Sequence, residues 1–319
     1  MPIARVCRIC LVGTQLFQTH IEEDRVSRQS SSLLWVTGYF SFVKLRIDII
    51  FILVAVAGAV LGENTTHRLG IFLVFRIAVA TLFLAAGAES WTNIIDRHID
   101  AVMPRTATRP LPAGTITVKK ATYLATTLTA SGFLFAFTLG AIPFLFFLLA
   151  FLNNVIVYSL LTKKATPWSI VLGSPVAPFV LWAGYTSVSI PLSSSALLLG
   201  FMLMGWIPVH IWIIAIRYRQ DYRKAGVPMA PIVWGRAMLT TVILLSGILM
   251  SVSALTALIS LSRLTPVHLV LLAAAGAASL LCLYFAYMAS WRAKIFSSSI
   301  MAVTFYLLLI LPMAIGFKL

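Results

Sequence analysis

The feature that most constrains this chain is a series of apolar stretches that recur along almost its whole length. Of its 319 residues, 60% are hydrophobic and only 10% are charged, whereas soluble domains carry about 25% charged residues. An apolar stretch of about 17–25 residues can cross a bilayer as a helix, because a helix satisfies its own backbone hydrogen bonds. The composition therefore predicts an integral membrane protein with the lipid bilayer as its solvent.

Nine stretches have the length of a membrane-spanning helix, which predicts an all-α fold of nine transmembrane helices. They cover residues 45–62, 70–93, 121–140, 142–161, 169–189, 196–216, 237–261, 266–288 and 295–316. The first 43 residues are more polar and contain an acidic run. We therefore predict an N-terminal tail, residues 1–43, followed by one membrane domain, residues 44–319.

Basic residues are distributed unequally between the two sides of the predicted bundle. Twenty of the 24 Lys and Arg residues fall on the side that holds the tail and the two long loops, 94–120 and 217–236, and three fall on the other side. Basic residues accumulate in cytoplasmic loops, so we predict a cell-membrane protein whose N-terminus and long loops are cytoplasmic. The net charge of +15 has the same origin, and without a basic stripe interleaved with aromatic residues it does not indicate nucleic-acid binding.

Acidic residues are scarce, and three of the nine lie within twelve positions at the end of the second predicted helix. Asn93, Asp96 and Asp100 are spaced i, i+3 and i+7, so a helix places them on one face. Two carboxylates one turn apart repel each other unless a cation lies between them. Mg²⁺ prefers oxygen ligands and is often completed by substrate phosphates, so the pattern predicts a Mg²⁺ site.

The loop that follows these acids is rich in proline and carries Arg105 and Arg109. Arginine binds phosphate oxygens in a bidentate manner. Acids that hold a metal, followed by arginines that hold phosphate, indicate a site for a metal-bound diphosphate. The alternative is an ordinary cytoplasmic loop beside interfacial acids.

A second polar cluster lies between Pro208 and Pro231 and includes His210, Arg217 and Asp221. One interpretation makes it a second half of the site, with Asp221 on Mg²⁺ and Arg217 on phosphate. The alternative is a basic loop held by an i, i+4 salt bridge. A histidine inside an apolar helix can be structural, but it can also bind a metal or haem iron or transfer a proton.

Polar residues at the ends of two other predicted helices can reach the same region. Arg46 begins the first helix, and Tyr158 and Lys163 lie near the end of the fourth. The alternative is that the long cationic side chains extend to the lipid headgroups.

The spacing Asn93-x-x-Asp96-x-x-x-Asp100 resembles the first aspartate-rich motif of the UbiA-type intramembrane prenyltransferases. Further blocks are similar to the branch of that family that transfers a farnesyl group to haem. They are residues 96–106, 109–112, 208–210 and 221–229.

This resemblance implies nine helices around a central cavity and an Mg²⁺-dependent enzyme embedded in the bilayer. The implied reaction is transfer of a farnesyl group from farnesyl diphosphate to a vinyl group of haem b, which gives haem O and diphosphate. The implied catalytic residues are Asp96, Asp100 and Asp221, which with Asn93 hold Mg²⁺. The implied substrate-binding residues are Arg46, Asn93, Arg105, Arg109, Tyr158, Lys163, His210 and Arg217.

Other activities stay open at this point. A UbiA-type enzyme can instead prenylate a quinone precursor or another lipid acceptor. Polar groups within the membrane are also found in transporters and in haem carriers. For the haem reaction, a downstream haem-modifying enzyme is an expected partner.

Overall fold

A computed structural model describes residues 45–63 and 69–261 of the chain. The predicted tail, residues 1–43, and the last two predicted spans, 266–288 and 295–316, lie outside these residues, as does the side chain of Arg46. The prediction of nine transmembrane helices therefore stays a prediction.

All regular structure in the described residues is helical, which confirms the all-α prediction. The α-helices are α1 Leu45–Gly62, α2 Ile71–Val102, α3 Val118–Phe137, α4 Ala141–Leu152, α5 Ser169–Gly173, α6 Val176–Thr186, α7 Ser194–Arg217, α8 Arg219–Lys224, α9 Ala230–Val233 and α10 Arg236–Leu261. A π-helix, Asn153–Thr162, continues α4 without a break.

The seven predicted spans within the described residues all coincide with helices. Five helical segments there are long and apolar enough to cross a membrane: Ile71–Val102, Ala141–Thr162, Ser169–Thr186, Ser194–Arg217 and Arg236–Ala257. Large apolar side chains also point outward, as in Phe72 and Phe137, which are 81% and 72% exposed. Such surfaces are stable against lipid but not against water, so the chain is an integral membrane protein.

Helix α2 extends further than predicted. The predicted loop 94–120 begins as helix, because α2 continues to Val102. Polar residues in its last three turns are buried against neighbouring elements, so they do not end the helix. At 1.5 Å per residue, its 32 residues span about 48 Å, which exceeds the bilayer core of about 30 Å.

Helices α1 and α6 approach each other closely through a reciprocal pair of glycines. A Cβ atom on Gly58 would lie 2.0 Å from the Leu181 carbonyl oxygen, and one on Gly184 would lie 1.8 Å from that of Ala55. Helices in membranes associate mainly through close packing of small residues. This contact therefore holds α1 against α6.

The polar loops meet at the end of the bundle where α2, the π-helix and α7 terminate. The loop after α2 folds back on that helix, since the Thr106 hydroxyl donates a hydrogen bond to the Asp100 carbonyl (3.0 Å). Further along the loop, Ile116 N–H and the Thr115 hydroxyl both donate to the Pro110 carbonyl. Arg105 and Arg109, which belong to this loop, are thereby held beside the end of α2.

Candidate active site

The predicted polar face of α2 exists and is buried. Asn93, Asp96 and Asp100 are only 5–6% exposed, whereas His98, which lies between the two aspartates in sequence, is exposed. Burial of two carboxylates in a membrane protein is costly unless each has a partner.

The partner of Asp96 is Lys163, which follows the π-helix. The Lys163 Nζ donates to Asp96 Oδ2, and both side chains are mostly buried, with 15% and 7% of their surfaces exposed. Burial alone would lower the pKa of the Lys163 amine, but Tyr158 and Asp96 outweigh burial and raise that pKa above its ordinary value. The ion pair with Asp96 therefore favours the charged form of Lys163.

The second carboxylate oxygen of Asp96, Oδ1, has a different environment. Asp96 Oδ1 is buried and accepts no hydrogen bond among the described residues. A buried polar atom without a partner normally costs about 1–3 kcal/mol. Such an atom is a candidate ligand for a cation.

The partner of Asp100 is Arg109, which comes from the loop after α2. Arg109 Nη1 donates to Asp100 Oδ2 at 2.7 Å, and the Asp100 side chain is 8% exposed, against 31% for Arg109. The two aspartates, one turn apart, are thus balanced by two cations from different elements.

The π-helix determines where Tyr158 and Lys163 lie. Lys163 N–H donates to the Tyr158 carbonyl at 2.9 Å, a five-residue step that is the hallmark of this helix type. At its start, the Asn153 side-chain amide donates to the Leu172 carbonyl at 2.9 Å. The Tyr158 ring packs on Gly173, where a Cβ atom would approach it to 3.0 Å. The π-helix is thereby fixed against α5.

The two polar loops are joined by Arg105. Its Nη2 donates to the Tyr222 hydroxyl at 2.9 Å, and its guanidinium carbon lies 5.0 Å from the centre of the Tyr218 ring. The Arg217 guanidinium carbon lies 5.8 Å from the centre of the same Tyr218 ring. Both arginines were predicted to bind substrate, whereas Tyr218 and Tyr222 were assigned no role, although each is next to an arginine in the sequence and can stack on one.

Two predicted residues lie apart from these ion pairs. His210 stacks on Trp206, with ring centres 4.8 Å apart and planes inclined by 18°, and its Nδ1 has no partner among the described residues. Asp221 lies in α8 and is half-buried. Within residues 45–63 and 69–261, no three His, Cys, Asp or Glu side chains gather closely enough to hold a metal ion. A Mg²⁺ at Asp96 or Asp100 therefore needs Asn93, water or a ligand oxygen as well.

A cavity lies deeper in the bundle. Its lining is almost entirely apolar and consists of Phe51, Thr81, Leu84, Ala85, Ala88, Glu89, Phe147, Ala150, Phe151, Asn154, Val176 and Val180. No role was predicted for Glu89 or Asn154, the two most polar residues of this lining.

The cavity lies in line with the Asp96–Lys163 pair. Helix α2 and the continuous α4–π segment run parallel, since both reach this pair at the same end of the bundle. On these two segments, the lining residues Glu89 and Asn154 precede Asp96 and Lys163 by seven and nine residues. The cavity therefore begins about two turns, or roughly 10 Å, below the ion pair.

These features define a class: an intramembrane enzyme for a substrate with a charged head and an apolar tail. The family model "UbiA prenyltransferase family" matches residues 50–314, and the chain belongs to this family. It is accordingly a prenyltransferase.

Relatives with assigned names agree with this family. The chain is 36% identical to a protoheme IX farnesyltransferase of Thermoplasma volcanium over 60% of this chain and 67% of that protein. It is 30% identical to a protoheme IX farnesyltransferase of Shewanella sediminis over 79% of this chain and 82% of that protein.

The fold is also that of a solved relative. A UbiA homologue from Archaeoglobus fulgidus, bound to GPP and Mg²⁺, superposes with a TM-score of 0.69 at 17% identity. The match covers 88% of this chain and 98% of that one.

Proposed function

We propose that this protein transfers a farnesyl group from farnesyl diphosphate to a vinyl group of haem b and forms haem O. The observation that carries the proposal is the pair of balanced aspartates, Asp96–Lys163 and Asp100–Arg109, directly above an apolar cavity. The charged diphosphate head of the substrate fits the two ion pairs, and its isoprenoid tail fits the apolar cavity. The names of the relatives from Thermoplasma volcanium and Shewanella sediminis support haem as the acceptor.

The residues of the α2 face fit a divalent cation. Asp96 Oδ1 is buried and accepts no hydrogen bond within the described part of the chain, and Asn93 and Asp100 add hard oxygen atoms on the same face. Asn93, Asp96 and Asp100 would hold Mg²⁺, with Asp221 contributing from the second loop. When bound, Mg²⁺ neutralises the charge of the departing diphosphate.

The basic residues around these acids bind and orient the diphosphate. Lys163 and Arg109 already lie against the carboxylates, so phosphate oxygens bound there meet two fixed cations. Arg105 and Arg217 lie at the junction of the two loops, and Arg46 is assigned from its sequence position. Preorganised cations of this kind stabilise a leaving group without having to reorganise during the reaction.

The acceptor binds on the side of the bundle formed by α7. The stacked rings of His210 and Trp206 offer a flat aromatic surface suited to a porphyrin. His210 Nδ1 is buried and has no hydrogen-bond partner among the described residues. His210 orients the haem or handles a proton, and Tyr158 contributes its ring and hydroxyl beside Lys163.

The proposal includes the number of transmembrane helices and their orientation in the membrane. Nine transmembrane helices surround the cavity, and the charge bias of the loops places the N-terminus and the active-site loops in the cytoplasm. The protein acts in the cell membrane, and the apolar product passes to a downstream haem-modifying enzyme.

The direct test uses the purified full chain in lipid nanodiscs with farnesyl diphosphate, haem b and Mg²⁺. Mass spectrometry is expected to detect haem O, and no product from folded protein would overturn the proposal. A parallel reaction with an aromatic quinone precursor tests the acceptor: a prenylated precursor without haem O would refute haem. Uptake of haem into vesicles without any product would refute the assignment of an enzyme reaction.

A further inference from the structure

Glu89 is an acid in a cavity that otherwise holds apolar and neutral side chains. It lies on α2 and is half-buried, and within the described residues it is the only charged member of the cavity lining. An acid inside the membrane costs about 2.5–3.5 kcal/mol on insertion scales. A farnesyl chain has no need of a carboxylate for binding, so tail binding alone does not explain this residue.

The position of Glu89 relates it to the aspartates. Glu89, Asn93, Asp96 and Asp100 are spaced i, i+4, i+7 and i+11 and therefore follow one face of α2. Glu89 is seven residues before Asp96, which corresponds to about 10 Å along the helix axis. Glu89 thus lies at the boundary between the polar site and the apolar cavity.

Asn154 is another polar residue of this cavity lining. This residue lines the same cavity from the π-helix. A substrate with its diphosphate at Asp96 and its tail in the cavity would have its first carbon atoms along the face of α2 between Asp96 and Glu89. Those are the carbons on which positive charge develops when an allylic diphosphate ionises.

We propose that Glu89 is a further catalytic residue, whose carboxylate stabilises the positive charge that develops on the allylic carbons. This inference rests on the proposed function. The C1–O bond breaks and its electron pair leaves with the diphosphate. The π electrons of the haem vinyl group form the new bond to C1, water adds to the resulting cation, and the water's proton is released to solvent. Glu89 lowers the barrier of the first step, because a fixed negative charge is worth more in a site of low dielectric than in water.

Glu89→Gln tests the charge while it preserves the shape of the side chain. The expected result is a fall in kcat of about 100-fold with KM for farnesyl diphosphate nearly unchanged, because the charge acts on the transition state. Glu89→Asp is expected to recover part of the loss. Ser90→Ala is the matched control, since Ser90 is buried on the same helix and its hydroxyl donates to the Ala86 carbonyl. The kcat of this variant is expected to match that of the natural chain.

A binding measurement separates an electrostatic role from a structural one. An ammonium analogue of the farnesyl cation, added with diphosphate and Mg²⁺, is expected to bind the Glu89→Gln variant about tenfold more weakly than the natural chain. A neutral farnesyl thiodiphosphate is expected to bind both proteins equally.

Equal kcat in Glu89→Gln, or equal weakening of both analogues, would overturn the role of Glu89. Failure of the natural chain to bind the thiodiphosphate or form haem O would instead overturn the proposed function. The two failures are therefore distinguishable.

Discussion

Lys163 and Asp96 form a buried ion pair that fastens the end of the π-helix to α2. Neither charge has full access to water, so each is stable only in the presence of the other. The pair therefore has a structural role in the described state of the chain, in addition to its proposed role with diphosphate. Variants can separate these two contributions.

Replacement of Lys163 by Met leaves the Asp96 carboxylate buried without its cation. We expect a loss of about 3–5 kcal/mol of stability, seen as a lower Tm in detergent, together with loss of turnover. Lys164→Met is the control, because Lys164 is exposed and its replacement is expected to change Tm little. An unchanged Tm in Lys163→Met would contradict the buried ion pair.

The double variant Asp96→Asn with Lys163→Met removes both charges together. It is expected to recover much of the lost Tm, since replacing a buried pair by neutral groups is often close to neutral. Turnover is expected to stay absent, because the proposed metal ligand and the proposed phosphate-binding cation are both missing. Recovery of haem O formation along with stability would show that neither residue takes part in the chemistry.

Arg109→Gln removes the cation beside Asp100, at a position that is partly open to solvent. Because exposure weakens such pairs, we expect a modest stability loss of about 1 kcal/mol. Binding should suffer more, with a roughly tenfold rise in KM for farnesyl diphosphate. Titration calorimetry with inorganic diphosphate and Mg²⁺ measures the effect without haem, and equal affinity in both proteins would refute the assignment.

Gly184→Ala places a methyl group against the backbone of α1, where a Cβ atom would lie 1.8 Å from the Ala55 oxygen. Relief requires the two helices to separate, so we expect a loss of about 1–3 kcal/mol in the free energy of unfolding. Gly235→Ala is the matched control, because nothing lies within 4 Å of its added Cβ atom. Equal Tm values for both variants would be inconsistent with the close approach of α1 and α6.

Tyr222→Phe removes the hydroxyl that accepts the hydrogen bond from Arg105 but keeps the ring. We expect a stability loss of about 0.5–1.5 kcal/mol and faster proteolysis of the two loops that this bond joins. Tyr123→Phe serves as control, because Tyr123 is 76% exposed on α3. If both variants are cleaved at the same rate as the natural chain, the bond does not hold the loops together.

Removal of Mg²⁺ by a chelator is expected to abolish turnover and leave the Tm of the ligand-free protein unchanged. The reason is that Lys163 and Arg109 already balance Asp96 and Asp100, so these aspartates do not need the metal for folding. Haem O formation measured with chelator, and again after Mg²⁺ is restored, checks the first part. A large drop in Tm with chelator would show a structural metal instead.

Hydropathy predicted the helices well because a bilayer imposes both a length and an apolar composition on each span. The spacing of Asn93, Asp96 and Asp100 likewise predicted a common face, since helical periodicity fixes it. The C-terminal limit of α2 was predicted too early, because burial by neighbouring elements allows polar residues to continue the helix to Val102.

Contacts between residues that are far apart in the sequence could not be predicted. Nothing local in the sequence joins Lys163 to Asp96 or Arg105 to Tyr222, since these contacts depend on how helices and loops pack. The importance of Glu89 was also missed. Its spacing with Asn93 is visible in the sequence, but the cavity beside it exists only in the folded bundle.

The π-helix makes the site depend on the number of residues as well as on their identity. Each residue of an ordinary helix turns the chain by about 100°, so one deletion between Asn153 and Thr162 would swing Lys163 away from Asp96 while retaining both side chains. A relative that keeps every polar residue but differs here by a single position would thus have its lysine on the wrong side of the helix. The length of this segment therefore determines the Asp96–Lys163 contact as much as the identity of the two residues does.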